Sequence, residues 1–593
     1  MRFVYCRQGT AFEISTDLPP ETLLKRDPSG KKTAISNGEG FQMNQRASGI
    51  LLHPTSLANA YPIGDLGPAA TAFVDFLVES GQHWWQMLPI GPTGGENSPY
   101  QSPSAFAGNP LLVSPDRLVE QGLLSRQEIG LPISVVDGNV NYPEAARWKM
   151  ALLKKAFEHF GEQKHFGRQS EFDAFSKAES YWLEDFSLFS AIQRKEGTAD
   201  WTRWQPDLRT RLPDAVIRAQ KYFADDIRYH EFVQWQFSVQ WKELRTYCAS
   251  KGIQLIGDIP LFVAHHSADV WAHPELFKLN TDGNPAVVAG VPPDYFSKTG
   301  QLWGLPVYNW EALHAQNYRW WIERLRTAFG RFDVNRLDHF IGFVRTYEVP
   351  ATAKTALKGQ YQPGGGAAFF KAIREALGSL PLIADDLGAT SPEVVTLLDQ
   401  FQIPGTRVLQ FEFGSELQTN SDPPAPHPLK SVVYTGTHDN DTTAGWYRKL
   451  PGRQRKALQK KLEANNLEIV WAIIREALAS QANTAIVLAQ DLLELGSEAR
   501  MNFPGIAKGN WGWRLKDGAL TRKLAQRLRS LTIECGRLKT GELSSAARCQ
   551  KDDPMPRIAK RDYELYEQRG RQNGQTYHDW LQAEREIKLE AIR

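Results

Sequence analysis

The chain has 593 residues, 42% of them hydrophobic and 23% charged, with a formal net charge of +2. That near-neutral balance supplies no field to draw nucleic acid or an acidic membrane surface, and no run of eighteen apolar residues offers a membrane span. Cys6, Cys248, Cys535 and Cys549 lack CxxC or metal-ligand spacing, so neither a disulfide framework nor a zinc site is indicated, which suits a cytoplasmic protein.

Residues 1–45 are short of periodic apolar residues and rich in Pro, Gly, Lys and Ser, and read as a flexible N-terminal extension. From Arg46 the character changes. SGILLHPTSL is a short apolar strand running into a polar loop, and IGDLGPAATAFVDFLVESG follows with apolar residues at helical spacing. Seven more strand candidates come in turn: HWWQMLPIGPTG, GIQLIGDIPLFVA, RFDVNRLD, LPLIADDLG, GTRVLQFEF, SVVYTGTHDND and NTAIVLAQDLL. Eight strands, each with helix-like sequence before the next, give the count of a closed (β/α)8 TIM barrel of the α/β class over 46–536. The gap after strand 2 is too long for one helix, so an inserted helical subdomain is expected over about 94–251. It begins with SPYQSPSAFAGNP, a loop placed to line a cleft.

After the third strand, AVVAGVPPDYFSKTGQLWGLPVYNW is rich in Gly, Pro and aromatic residues and reads as an irregular loop. Tyr295, Phe296 or Trp303 there suit stacking on sugar rings, or simply cover the surface. Residues 537–556 look like a linker. The tail 557–593 forms two short helical patterns with Tyr563, Tyr566, Trp580 and Ile587 as a tiny core, a small module or docking arm for a protein partner.

Three strand ends carry acids facing the barrel mouth: Asp338 after strand 4, Asp385 and Asp386 after strand 5, and Asp439 with Asp441 after strand 7. Arg336, two residues before Asp338, projects to the same side of an extended chain and is placed to hold it ionised. Retaining glycoside chemistry needs two carboxyls about 5–5.5 Å apart, one a nucleophile and one a protonated acid. A structural ion pair at a strand end is the competing reading of Asp338. Metal binding is the rival for the acids as a group, but no stretch resembles a calcium hand and the histidines lack zinc spacing.

SGILLHPTSL with IGDLG, SPYQSPSAFAGNP, IGDIPLFVA, GVPPDYFSKTGQLWG, RLDHFIGF, ADDLG, YTGTHDNDTT, and SEARMNFPG with GNWGWRL resemble, in order from about Arg46 to Leu515, the 4-α-glucanotransferase family, also called amylomaltase or disproportionating enzyme. The resemblance implies cofactor-independent transfer of an α-1,4-glucan segment to the 4-hydroxyl of another glucan. Maltooligosaccharides are then its partners. It places the nucleophile on Asp338 with Arg336 beside it, and the transition-state stabiliser on Asp439 with His438 as a sugar-hydroxyl partner. Tyr100, Asp258 and Asp294 match positions lining the donor side, and His339 and Trp303 join the substrate-binding set.

One departure bears on mechanism. The family's acid/base is the glutamate of AEDLG, and here Asp385 stands in its place, one methylene shorter. A misplacement of about 1 Å can cost on the order of a hundredfold in rate. A glucan-binding protein with impaired turnover and an α-glucan hydrolase are therefore alternatives to the transferase. Ile341 and Leu305 likewise stand where the family has arginine and asparagine, removing polar partners near the site. The tail more loosely resembles a short bacterial module of unknown function.

Overall fold

The computed structural model describes residues 45–538 apart from 131–137, 163–165, 294–296, 389–390, 420–426 and 507, together with Met43 and two paired segments, Lys25–Arg26 and Lys32–Thr33. Nearly all of the expected extension 1–45, most of the linker 537–556, and the whole module 557–593 lie outside the described residues.

Eight parallel strands carry the fold: β1 (Ala47–Leu51), β2 (Trp84–Gln86), β3 (Gln254–Ile259), β4 (Val334–Leu337), β5 (Leu382–Ala384), β6 (Gly405–Val408), β7 (Ser431–Tyr434) and β8 (Thr484–Leu488). All eight fall on the strands expected from sequence. SVVY and TAIVL are buried at every residue, as strands covered on both faces require. The hydrogen-bonded order is β5-β4-β3-β2-β1-β8-β7-β6. The ring closes between β5 and β6, where Ala384 N donates to Pro404 O at 2.8 Å. Asp386 clasps the same seam, its Oδ1 accepting from Thr406 N at 2.7 Å and its Oδ2 from Arg407 Nη1 at 3.3 Å. Gly49 lets β1 and β2 approach, since a Cβ there would lie 2.3 Å from that of Trp84.

The outer layer comprises α1 (Pro68–Glu79), α2 (Ala224–Ser250), α3 (Arg319–Arg331), α4 (Gly366–Leu377), α5 (Pro392–Phe401), α6 (Leu409–Thr419), α7 (Ile469–Ala479) and α8 (Arg522–Glu534). Pro68 opens α1 at a position where the missing N–H costs nothing, and Ala70, Phe73, Val74 and Leu77 bury one face. Successive helices pack as neighbours from α8 through α1 to α5. Arg537, just past α8, is buried and donates to Ala47 O at 2.8 Å and Ala482 O at 2.9 Å, tying the chain to the bottom of β1.

Between β2 and α2 lie the helices Tyr142–Glu162, Phe166–Ala178, Ser180–Glu196 and Pro213–Tyr222. A fully buried ion pair, Lys149 Nζ to Asp65 Oδ2 at 3.1 Å, fastens the first of them to the entry of α1. Helix α2, at the end of the same stretch, belongs to the barrel layer, packing on α1, α3 and β3.

The segment after β3 corrects the sequence reading. It is not an irregular loop: Val287–Val291 and Gln301–Pro306 pair as antiparallel strands, and Arg345–Pro350 and Gln360–Pro363 extend them to a four-stranded sheet. Its edge strands alternate weakly in polarity, Gly290 interrupts the first strand at a register shift, and the central partner comes from beyond β4. None of this shows in a local pattern.

Candidate active site

The alternation of β4 sends Arg336 and Val334 to one side and Asn335 and Leu337 to the other. Arg336 thereby enters the barrel mouth, where its side chain, 6% exposed, becomes the hub of the site. Its Nη1 donates to both oxygens of Asp258, at 2.9 and 2.7 Å, and to Asp338 Oδ1 at 3.2 Å. Its Nη2 donates to Asp385 Oδ2 at 2.6 Å. One guanidinium thus joins carboxylates from β3, the end of β4 and the end of β5. The Asp385 backbone is fixed as well, its N donating to Leu337 O and its O accepting from Phe340 N, both at 3.0 Å.

Asp439 reaches the mouth from the loop after β7. Its Oδ1 accepts from Asn502 Nδ2 at 2.6 Å, its backbone carbonyl accepts from Arg500, and His438 Nε2 lies 3.4 Å from Oδ1. The buried His438 ring stacks on Tyr100, with centroids 5.1 Å apart and planes 15° from parallel. Tyr100 in turn donates its hydroxyl to Asp258 Oδ2 at 2.8 Å, closing a network from β7 through the β2 loop to β3. Below this loop Asp491 is fully buried and accepts from Thr435 Oγ1, Thr443 N and Thr443 Oγ1 at 2.7–2.8 Å. That holds the backbone on both sides of His438 and Asp439.

Burial pushes the Asp338 carboxyl well above the usual carboxylate range; Arg336 pulls against this, while Asp258, Asp385 and Asp439 push further. The guanidinium thus favours the Asp338 anion, as expected from sequence, while burial and the neighbouring acids oppose it. The guanidinium is shared three ways. Asp258 is raised in the same way by burial, with Arg336 and His438 opposing. Burial also works against the charge of Arg336, but Asp258, Asp385 and Asp338 together hold it firmly protonated. His339 is pushed down to about 4 by burial and is neutral near pH 7.

The structure brings Asp338, Asp385, Asp439, Arg336, His438, Tyr100 and Asp258 to one mouth. His339 lies beside them at φ +50°, a left-handed backbone that turns the chain back beneath Asp385, whose Oδ2 accepts from His339 N at 3.4 Å. Trp303 sits on the four-stranded sheet and meets His339 edge-on, with centroids 4.7 Å apart. Asp294, Tyr295 and Phe296 lie outside the described residues. Asp441 is turned away from the mouth toward Lys449 and Ser497. Asn502 and Arg500 escaped residue-level reading. They lie within SEARMNFPG, yet nothing in that stretch signals a partner some sixty residues upstream.

An eight-stranded β/α barrel that gathers three carboxylates around one buried arginine at its strand ends, with a fourth nearby, is an arrangement that suits an enzyme of glycosidic bonds. Residues 52–521 match the family described as 4-alpha-glucanotransferase, and residues 555–588 match a protein family of unknown function, DUF2934. The 4-alpha-glucanotransferase of Thermus thermophilus is 44% identical over 503 residues, covering 83% of this chain and 99% of that protein. That of Synechocystis is 44% identical over 498 residues, covering 84% and 99%. Among solved structures, amylomaltase from Streptococcus agalactiae in complex with acarbose superposes with a TM-score of 0.80 at 36% identity, covering 84% of this chain and all of that one. The chain belongs to the 4-alpha-glucanotransferase family, and its activity is that of a glycosyl-transferring enzyme.

Proposed function

We propose that the transfer runs as a double displacement with Asp338 as nucleophile, Asp385 as acid and base, and Asp439 as stabiliser of the transition state. The bridging of Asp258, Asp338 and Asp385 by Arg336 carries this reading. Two carboxyls that bond one guanidinium suit the ~5–5.5 Å gap of a retaining pair better than the wider inverting gap that must house a water.

In the first step Asp338 attacks the anomeric carbon of the donor glucan, and the proton on Asp385 passes to the departing 4-oxygen. A β-linked glycosyl ester remains on Asp338. In the second step Asp385 takes the proton of an acceptor 4-hydroxyl, whose oxygen displaces Asp338 and restores the α-linkage. The ring carries partial positive charge in both transition states, and Asp439 faces it. His438, Tyr100, Asp258 and Asp294 hold the donor sugar, while Trp303 and His339 cover the acceptor side, where bound sugar must exclude water for transfer to win over hydrolysis.

The substrates on this reading are maltooligosaccharides and other α-1,4-glucans, handled in the cytoplasm. The barrel with its insertion is the catalytic unit, and residues 557–593 are a separate module that contacts a protein partner. Incubation with maltotriose tests the roles. Glucose plus oligomers longer than maltotriose is the expected outcome, with none from Asp338→Ala. Longer oligomers formed at the normal rate by Asp338→Ala would remove Asp338 as nucleophile.

A further inference from the structure

His53 follows β1 in LLHPTSL and takes no part in the network around Arg336. Its side chain lies in a residue only 4% exposed, and Nδ1 is sealed from solvent without a hydrogen-bond partner. No described residue hydrogen-bonds any other atom of the ring. A cavity of about 10 Å³ lies against it, lined also by Ser56, Thr437, His438, Asn440 and Arg500. Leu51, Leu488 and Met501 are among the apolar residues that complete the lining, and the volume is about the least that holds one water.

The proton of the ring can be placed. A protonated Nδ1 would leave a buried donor unmade, the costlier kind of orphan, whereas a bare lone pair costs less. The proton therefore sits on Nε2, the nitrogen left to meet the cavity. Burial, with His438 adding to it, drives the ring down to about 3, so it stays neutral near pH 7. His53 is then a fixed, uncharged N–H donor at the edge of the site. Across the cavity, the His438 ring has no hydrogen-bond partner among the described residues beyond its 3.4 Å approach to Asp439. Stacking on Tyr100 sets its plane but not its rotation within that plane. Phenylalanine or leucine would fill the place of His53 without stranding a nitrogen, so packing alone does not account for an imidazole there.

We propose that His53 is a positioning residue: one water bound in the cavity accepts the Nε2–H of His53 and bonds the His438 ring, fixing the orientation in which His438 meets the donor sugar. The proposal rests on His438 being a sugar-hydroxyl partner.

Maltotriose transfer by the full chain tests it, using His53→Phe, His53→Gln and His438→Ala. His53→Phe is expected to lower kcat about tenfold with KM within about twofold, the mark of lost orientation rather than lost binding. His53→Gln keeps an N–H at similar reach and is expected to retain at least about half of kcat. Full kcat in His53→Phe beside a clear loss in His438→Ala overturns the proposal alone, as does a Gln variant as slow as the Phe variant. Full kcat in His438→Ala overturns the role of His438 and the proposal with it. Nitrogen-15 NMR of the unaltered protein decides independently of whether His53→Phe folds. A neutral His53 protonated on Nε2 at pH 6 is expected, and a charged ring or the Nδ1–H form overturns the proposal.

Discussion

Arg336 Nη2 holds Asp385 Oδ2 at 2.6 Å, the closest of the contacts this guanidinium makes in the site. The carboxyl assigned to proton delivery therefore spends one oxygen on a buried cation, while Oδ1, among the described residues, meets only Leu387 N at 3.4 Å. Aspartate is one methylene shorter than the glutamate that the family resemblance implies at this position. Asp385→Glu adds one methylene, and the expected result is a rise in kcat for maltotriose transfer of about tenfold to a hundredfold. Steady-state kinetics of the two proteins side by side checks it; an unchanged or lower kcat would show that the backbone already compensates for the shorter acid.

Asn502 is expected to govern Asp439. The Asp439 side chain is 47% exposed, so the 2.6 Å bond from Asn502 Nδ2 and the approach of His438 are what restrain its carboxylate. Asn502→Ala should lower kcat by about tenfold to a hundredfold with little change in thermal stability, because the loss is one of orientation at a solvent-facing group. Asn502→Asp should be slower still, since it sets a second carboxylate within hydrogen-bond distance of the first. Kinetics of both variants beside their melting curves separates these outcomes, and an Asp variant faster than the Ala variant sinks the argument.

The barrel was legible in sequence because parallel strands covered on both faces read as short apolar runs, as SVVY and TAIVL do. Acids at the ends of those runs were legible for the same reason. Arg336 and Asp338 fall on one side by strand alternation alone, as the 3.2 Å contact between them reflects. Asp385 and Asp386 are adjacent in sequence yet serve opposite places, one the mouth and one the β5–β6 seam, and only tertiary contacts with Arg336 and Thr406 tell them apart. The Tyr100 hydroxyl meets Asp258 across 158 positions, and Asn502 meets Asp439 across 63. No local pattern announces such pairings. The four-stranded sheet escaped for a related reason, since Val287–Val291 finds its second partner in Arg345–Pro350, on the far side of β4.

Arg537 should be a stability residue with no effect on chemistry. Its guanidinium is buried without an acidic partner among the described residues and is satisfied by the backbone carbonyls of Ala47, Leu478, Ser480 and Ala482 among others, and by the Ser480 hydroxyl at 3.3 Å. Three of these lie at or beyond the C-terminal end of α7, where the helix dipole favours a cation. Arg537→Ala strands the carbonyls and opens a cavity, with an expected loss of about 3 kcal/mol. Denaturant unfolding should show that loss while kcat of the folded fraction stays unchanged. A variant of parental stability would mean that water replaces the side chain at no cost.

His230, on α2, gives a clean pH test of burial. Burial pushes its ring down to about 4, with Asp226 opposing and Arg194 adding, and its Nε2 is sealed without a partner. The folded protein thus keeps His230 neutral until about pH 4, whereas the unfolded chain takes the proton near its ordinary value of about 6.5. Protons bind the unfolded state first, so the contribution is intact above about pH 6.5 and is lost as pH falls toward 4, by about 3 kcal/mol in all. His230→Phe cannot titrate and keeps an aromatic ring beside Tyr229, which His230 contacts at 5.2 Å between centroids. Relative to the parent, the variant should therefore gain about 3 kcal/mol between pH 7 and pH 4 in denaturant unfolding. Taking the difference between two proteins cancels the buried acids, Asp258 and Asp338 among them, whose raised values act with the opposite sign. A difference that stays constant across that range would mean His230 titrates normally in the folded state.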